Sequence, residues 1–441
     1  MYRSGLDFLI KWGAKEGRRP LMLRGARQVG KSYLVREYAQ KASLDLLEIN
    51  LEKDPEAIQF FHKNAIQKTL ELLSLQYRKK IDLEKTLLFL DEIQAAPELI
   101  PHLRYFFEEK PSLRVIAAGS LLEFTLRDHA FSMPVGRLEY MHLGPMTFEE
   151  FLLAAGEKDL KDFIGQHQIG ETIPTPLHKR LMDLVRTFSI VGGMPEAVKN
   201  YLSGASESCE VSKQNILSTY QDDFSKYRDR VPHERLKKIF MNIPLLIGEK
   251  FKYVNVDAHE RSKDLSTGLD LLCMARVAHR VYHTSGNGVP LGAEIDQKFF
   301  KVLFLDIGLV SSSCGLSLIT VEKEPDLNLV NQGRLAEQFI GQHLLYDRPV
   351  YETPEIYYWT REKRNSSAEV DYLISLGSEV IPVEVKSGKT GRLRSLHLFL
   401  EEKKRPLGIR FNSEPSSLLR ENKISLLSLP FYLVGQWRRM V

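Results

Sequence analysis

At 441 residues, 43% apolar and 27% charged, the chain is too long for one core and suits two to four domains, and its composition excludes disorder, collagen or a disulfide scaffold. Its three cysteines, Cys209, Cys273 and Cys314, stand too far apart for a CxxC pair, which fits a reducing compartment and excludes a cysteine-rich zinc module. The net charge of +4 lies in the last quarter, where residues 331–441 hold 17 basic and 13 acidic side chains against 44 of each in the first 330; such an excess fits a nucleic-acid surface and a plain solvated surface equally well.

The first 120 residues alternate short apolar runs with helical patterns. Pro20 to Leu23 reads as a buried strand, followed by a glycine-rich turn and a helix from Lys31 to Gln40. Leu44 to Leu51 is a second strand, and two helices fill Pro55 to Tyr77. Thr86 to Leu90 is a third strand, Glu98 to Glu109 a helix and Arg114 to Ala118 a fourth strand. Strands alternating with helices predict a parallel, three-layer α/β sheet. Gly136 to Phe151 reads as a strand turning into a helix. A helix from Leu177 to Ser189 ends at Gly192-Gly193, and Pro195 opens the next. Ser203 to Ser208 reads as a linker. Val211 to about Val281 is helical in pattern, followed by a Ser-Gly-Asn-Gly turn at 285–288 and a strand from Lys298 to Leu305. Helices followed by a hairpin predict a winged-helix-like region. A last α/β unit begins near Asn331.

Residues 25–32, Gly25-Ala26-Arg27-Gln28-Val29-Gly30-Lys31-Ser32, match G-x-x-x-x-G-K-[ST] between a predicted strand and a predicted helix. In this pattern backbone N–H groups curl around phosphate oxygens and the helix N-terminus adds partial positive charge. Lys31 is placed to reach the β- and γ-phosphates, and the Ser32 hydroxyl to ligate Mg²⁺. Thr86 to Glu92 is an apolar strand ending in two acids. Asp91 is placed to hold the Mg²⁺ shell and Glu92 to polarise an attacking water; the plainer reading makes Asp91 an N-cap. Together these elements predict a site for ATP or GTP with Mg²⁺. Ser120, after the fourth strand, is either a γ-phosphate sensor or part of a Gly-Ser turn. Arg137 is either a finger to a phosphate of its own or a neighbouring subunit, or a solvent-facing arginine.

The segments GARQVGKS (25–32), LLFLDEIQ (87–94), AAGSLLEF (117–124), GRLEYMHLGPMTFEEF (136–151) and Gly192-Gly193-Met194-Pro195-Glu196 form a recognisable set. With KVLFLDIGL (301–309), AEVDYLI (368–374) and VIPVEVKSG (380–388), the chain resembles the AAA-type P-loop ATPases of bacteria and archaea that carry a C-terminal restriction-endonuclease-like domain. The resemblance covers nearly the whole chain and implies adenine specificity, hence ATP as the ligand.

Near the C-terminus, Ala368 to Ile374 and Glu379 to Lys386 alternate with period two, and Leu376-Gly377-Ser378-Glu379 between them suits a type II′ turn. Closed there, paired positions sum to 755: Asp371 faces Glu384, Glu369 faces Lys386, and Pro382 points its nitrogen away from its partner. Facing carboxylates repel; a divalent metal between them reverses that sign, with Lys386 orienting a water or stabilising developing charge. The plainer reading is a charge ladder in which Lys386 pairs with Glu369 or Asp371 and Glu384 lies at a solvated rim. The D-x12-E-x-K arrangement resembles the PD-(D/E)xK nuclease core, although Val370 stands where that pattern has its proline. The resemblance implies metal ligation by Asp371 and Glu384 with Mg²⁺ or Mn²⁺, catalysis by Glu384 and Lys386, and a further helix carboxylate, the place Glu337 takes in the segment Gly333 to Leu345.

The aromatics from Tyr351 to Trp359 read as strand or core rather than a base-stacking platform, and Lys226 to Lys238 as a solvated helix. No run reaches the roughly 18 apolar residues of a membrane span, and no signal region opens the chain, so the expectation is a cytoplasmic protein without a membrane partner. The expected domains are an AAA-type P-loop ATPase core over 1–155, its helical extension over 156–205, a helical, winged-helix-like region over 206–325 and a nuclease-like α/β domain over 326–441. The expected function is Mg²⁺-dependent ATP binding and hydrolysis coupled to a C-terminal domain that acts on DNA, with cleavage as its candidate activity. The alternative is an ATP-driven switch whose nuclease-like domain binds DNA or a protein partner without cutting; assembly into an oligomer is compatible with both.

Overall fold

Five short runs near the N-terminus form the strands β1 (Leu21–Arg24), β2 (Asp45–Asn50), β3 (Thr86–Asp91), β4 (Arg114–Gly119) and β5 (Glu139–His142) of the computed structural model. It describes residues 1–61, 65–120, 136–224, 231–318, 332–361, 368–388, 393–421 and 423–441. Residues 121–124 of the AAGSLLEF motif, 226–230 of the Lys226 to Lys238 stretch, and 362–367 and 389–392 in the basic last quarter lie outside the described residues. The strand order is β2-β3-β4-β1-β5 and every adjacent pair is parallel. β3 is buried at every position, as a central parallel strand covered on both faces must be. Leu88, Leu90 and Ala117 share a core with Leu70, Leu73, Leu103 and Phe106 of the helices Ile66–Tyr77 and Leu103–Glu109. The helix expected from Glu98 starts only at Leu103, preceded by the 3₁₀ turns Ile93–Ala95 and Pro97–Leu99, because Pro101 cannot sit inside a helix.

The chain divides into two units, one of residues 1–144 with 274–276 and 349–353, the other of the remainder. Helix Phe148–Ala154 therefore lies in the second unit rather than with the preceding sheet. Thr147 and Glu150 close its start as a capping box, and Phe148 and Phe151 pack against Phe188 of helix Thr175–Val191. The serine-rich stretch expected as a linker joins two packed helices, Pro195–Leu202 and Ser206–Asp223, bridged by Asn200 Nδ2 donating to Ser212 Oγ at 2.6 Å.

The second unit's sheet contains β6 (Ala278–Thr284), β7 (Ile295–Phe304), β8 (Tyr357–Thr360), β9 (Glu369–Leu376), β10 (Glu379–Val385), β11 (Leu407–Asn412), β12 (Ser417–Glu421) and β13 (Ile424–Pro430). Their order is β12-β13-β11-β10-β9-β8-β6-β7, mixed in direction. Two expectations are corrected here. The helical pattern ends at Met274, and the residues that follow form β6. The hairpin β6–β7, expected as the wing of a separate domain, pairs through Tyr282 and His283 with Tyr357 and Tyr358 of β8. The backbone of β6 would otherwise present an unpaired edge, and β8 offers it a partner. Tyr357, Tyr358 and Trp359 are buried, as core residues. In the helix His233–Asn242, Arg235 and Lys238 pair with Glu260, consistent with a solvated charged face.

β9 and β10 pair from Leu376–Glu379 to Tyr372–Val383, the register summing to 755. Gly377 takes φ +57 and Ser378 lies outside the left-handed region, as a type II′ turn requires. After β7 the chain enters helix Ile307–Ser313 through Asp306, a fully buried N-cap. Among the described residues no helix is long and apolar enough to cross a membrane.

The same unit contains a buried histidine with a readable proton state. Phe148 N donates to His343 Nε2 at 2.9 Å, so Nδ1 carries the proton and donates to Phe339 O at 2.7 Å. Burial depresses the imidazole pKa from 6.5 to about 4. A depressed folded-state value means the unfolded chain takes up the proton first, so this stability is present above about pH 6.5 and lost as pH falls towards about 4, at a cost of about 3 kcal/mol. Unfolding midpoints of wild type and His343→Gln should therefore converge as pH falls through this window; a constant gap would refute the assignment.

Candidate functional site

Residues 25–32 leave the C-terminal end of β1 and run into helix Lys31–Lys41. Gln28 takes φ +64 and Gly30 φ +92, so the backbone turns left-handed twice before the helix begins. A Cβ on Gly25 would lie 2.3 Å from the Leu143 carbonyl oxygen, a contact only glycine avoids. The buried Arg3 donates to Val29 O and Gly144 O, each at 2.7 Å, and braces the loop. Lys31 is buried, with Nζ donating to Gly25 O at 3.1 Å and Ala26 O at 2.8 Å.

The strand order puts the ends of β3, β4 and β1 side by side, and each contributes. Ser32 Oγ donates to Asp91 Oδ2 at 2.8 Å. Burial pushes the Asp91 carboxyl above its usual range, and the Ser32 bond pulls it partly back. Glu92 follows with φ +53, and its Oε2 accepts from Gln94 Nε2 at 2.5 Å. Ser120, buried at the end of β4, accepts from Arg27 Nε at 3.4 Å. Gln94 escaped the sequence reading: its Oε1 is buried without a partner among the described residues, 2.4 Å from where a Cβ on Gly119 would stand. Arg137 is not brought to this group; it is exposed and pairs with Glu108 at 3.1 Å.

The donor set fits a nucleoside triphosphate with Mg²⁺. Loop N–H groups and the Lys31 ammonium suit phosphate oxygens, while the Ser32 hydroxyl and Asp91 carboxylate suit the hard cation. A Mg²⁺ held through Ser32 and Asp91 would supply neutralisation of phosphate charge. Glu92 is the acid that follows Asp91 at the end of β3.

The second group of side chains lies in the other unit. Asp371 projects from β9 and its Oδ2 accepts from Val385 N at 2.8 Å. Glu384 on β10 is buried, stands one step beyond the last paired residues opposite Asp371, and binds Lys386 Nζ through Oε1 at 2.5 Å. Glu337 arrives from helix Gln332–Tyr346. Burial and the nearby Asp371 push the Glu384 carboxyl up to about 7, against the pull of Lys386. The Glu337 carboxyl likewise rises to about 7, chiefly through burial and against the pull of Lys301.

Two expectations fail at this centre. Lys386 does not form an ion pair with Glu369 or Asp371; it pairs with Glu384, which is buried and not at a solvated rim. Glu369 instead meets Lys301 of β7, a residue the sequence reading missed, with Nζ 2.7 Å from Glu369 Oε1, 3.4 Å from Glu337 Oε2 and 3.6 Å from Asp371 Oδ1. Burial opposes the Lys301 charge, yet Glu337, Asp371 and Glu369 hold its pKa well above that of a free lysine. Among the described residues no three histidine, cysteine or carboxylate side chains converge closely enough to hold a metal ion.

Residues 17–152 match the AAA domain family. Residues 182–319 and 332–432 match two domains of unknown function, DUF8612 and DUF4143. No curated protein matches the chain. Among solved structures it is similar to the Walker-type ATPase PABY2304 of Pyrococcus abyssi, at 14% identity over 71% of this chain and 95% of that one, with a TM-score of 0.43. Others are PCH-2 of C. elegans, at 12% identity over 40% and 52% with a TM-score of 0.25, and the signal transduction ATPase with numerous domains PH0952 from Pyrococcus horikoshii, which has a tetratricopeptide repeat sensor, at 12% over 80% and 46% with a TM-score of 0.28. The family match falls on the loop, strand ends and acids just described, and supports an AAA-type ATPase domain in the N-terminal region.

Proposed function

We propose that the chain, with this AAA-type ATPase domain at its N-terminal end, hydrolyses Mg²⁺·ATP and uses the cycle to switch how a restriction-endonuclease-like C-terminal domain engages DNA. The Ser32–Asp91 hydrogen bond of 2.8 Å, joining the end of the phosphate loop to the acid of β3, carries the first half of this reading. It holds the hydroxyl and carboxylate of a Mg²⁺ site together before the cation arrives. Glu92, held by Gln94, would act as the base once released. Ser120 would sense the γ-phosphate through its place beside Arg27. Arg137, tied to Glu108, would meet a phosphate only in an assembled state. The excess of 17 basic over 13 acidic residues in 331–441 is compatible with DNA as the partner.

Cleavage of that DNA is the second reading, favoured by the gathering of Glu337, Asp371, Glu384 and Lys386. Supercoiled, single-stranded and branched DNA incubated with Mg²⁺ or Mn²⁺, with and without ATP, separates the two. ATP-dependent retention of intact DNA is expected. Nicking by wild type that disappears in Lys386→Ala would transfer the assignment to a nuclease. Absence of DNA binding with or without ATP would leave a switch acting on a protein partner.

A further inference from the structure

We infer that Lys301 is the resident cation of the C-terminal carboxylate centre, its ammonium standing where a nuclease-like site would take a divalent metal, so that the chain binds no metal ion there. The inference rests on the nuclease-like reading of this domain and says what its centre has become.

The geometry is that of an occupied cation site. Lys301 comes from β7, and its side chain is only 3% exposed. An ammonium has three N–H donors, and three carboxylates from two other elements surround it, Glu369 and Asp371 from β9 and Glu337 from the helix. The ring of Tyr358, with its centroid 5.6 Å from Nζ, flanks it as well. The remaining oxygen of Asp371 is taken by Val385 N. Glu384 is turned to Lys386, and only its Oε2 lacks a hydrogen-bond partner. The charge of these carboxylates is thus already met by two ammonium groups, those of Lys301 and Lys386. A divalent ion added among these carboxylates would stand against a buried ammonium, and the two cations would compete for the same oxygens.

Lysine and metal solve the same problem in different ways. Carboxylates this close repel, and either cation removes the repulsion. The metal also polarises a water, whereas an ammonium bonded to three carboxylates does not. The centre then ties β7 and the helix Gln332–Tyr346 to β9 through charge, and the domain is left to bind rather than cut.

The test is a Mn²⁺ titration of the full chain without nucleotide, read from the electron paramagnetic resonance of the free ion. Wild type and Asp371→Asn should bind equal numbers of ions. Lys301→Met, similar in length and uncharged, should gain one ion per chain that the wild type does not bind. The double variant Lys301→Met with Asp371→Asn should lose it again. A folded Lys301→Met that gains no ion overturns the inference. If that variant does not fold, wild type against Asp371→Asn and Glu384→Gln still decides: an ion bound by wild type and lost in either overturns the inference, and equal binding upholds it. None of these substitutions touches the phosphate loop, so a failure of the ATPase assignment shows separately, as missing phosphate release by wild type.

Discussion

Lys31→Ala should lower Mg²⁺·ATP hydrolysis by about a thousandfold while the chain stays folded. The ammonium is buried at the base of the loop, 2.8 and 3.1 Å from two of the loop's own carbonyls, so it is already desolvated and aimed at the cradle. Its charge is worth most where the γ-phosphoryl group spreads negative charge in the transition state, and a neutral methyl supplies none of it. The structural cost is about 1–3 kcal/mol, because the two carbonyls it leaves belong to the buried residues Gly25 and Ala26. Lys31→Arg should not rescue the rate, since a planar fork does not fit a cradle shaped for a point charge. Phosphate release at saturating ATP, with thermal unfolding alongside, makes the measurement. A rate above about a tenth of wild type in a well-folded variant would remove Lys31 from the phosphates.

Asp306→Ala has the largest expected effect on stability. The carboxylate is fully buried and accepts from Gly308 N at 2.9 Å and Leu309 N at 3.3 Å through Oδ1, and from Gly193 N at 2.7 Å and Gln342 Nε2 at 3.3 Å through Oδ2. It thus caps one helix, pins the turn before helix Pro195–Leu202 and meets helix Gln332–Tyr346. Alanine strands all of these donors away from water, at about 3–5 kcal/mol. The second unit should lose about 10 °C of thermal midpoint. Asp306→Asn keeps one acceptor oxygen but turns an amide towards donors, and should fall between the two. A midpoint for Asp306→Ala within about 2 °C of wild type would show that the donors find other partners.

What the sequence made readable is what lies close together along the chain. The phosphate loop packs its glycines, lysine and serine into eight consecutive residues, and the strand ending in Asp91-Glu92 has the same local character. The register of β9 and β10 was legible because Gly377-Ser378 sets the turn and alternation sets the faces. Glu337 could be placed by order alone and does arrive at the centre. Lys301 was illegible for a physical reason: it sits on an apolar strand 36 residues before Glu337, in a stretch that reads locally as the wing of a separate winged-helix-like region. Only the pairing of β6 with β8 brings it home, and two aligned residue pairs of a parallel ladder leave no local signature. Gln94 was hidden in the opposite way, two residues from Glu92 but in a 3₁₀ turn where the pattern suggested the approach to a helix.

The order in which these strands leave the ribosome has a consequence for assembly. All five strands of the parallel sheet have been made once His142 is added. The mixed sheet takes β6 and β7 from residues 278–304 and waits for its final strand at Ile424–Pro430. Domains emerging first generally fold first, so the phosphate loop can close around its ligand while the second sheet is still being synthesised. Lys301, by contrast, emerges long before Asp371 and Glu384, and its ammonium stays hydrated until they follow. The cage therefore closes late, built outward from a cation that was waiting for it.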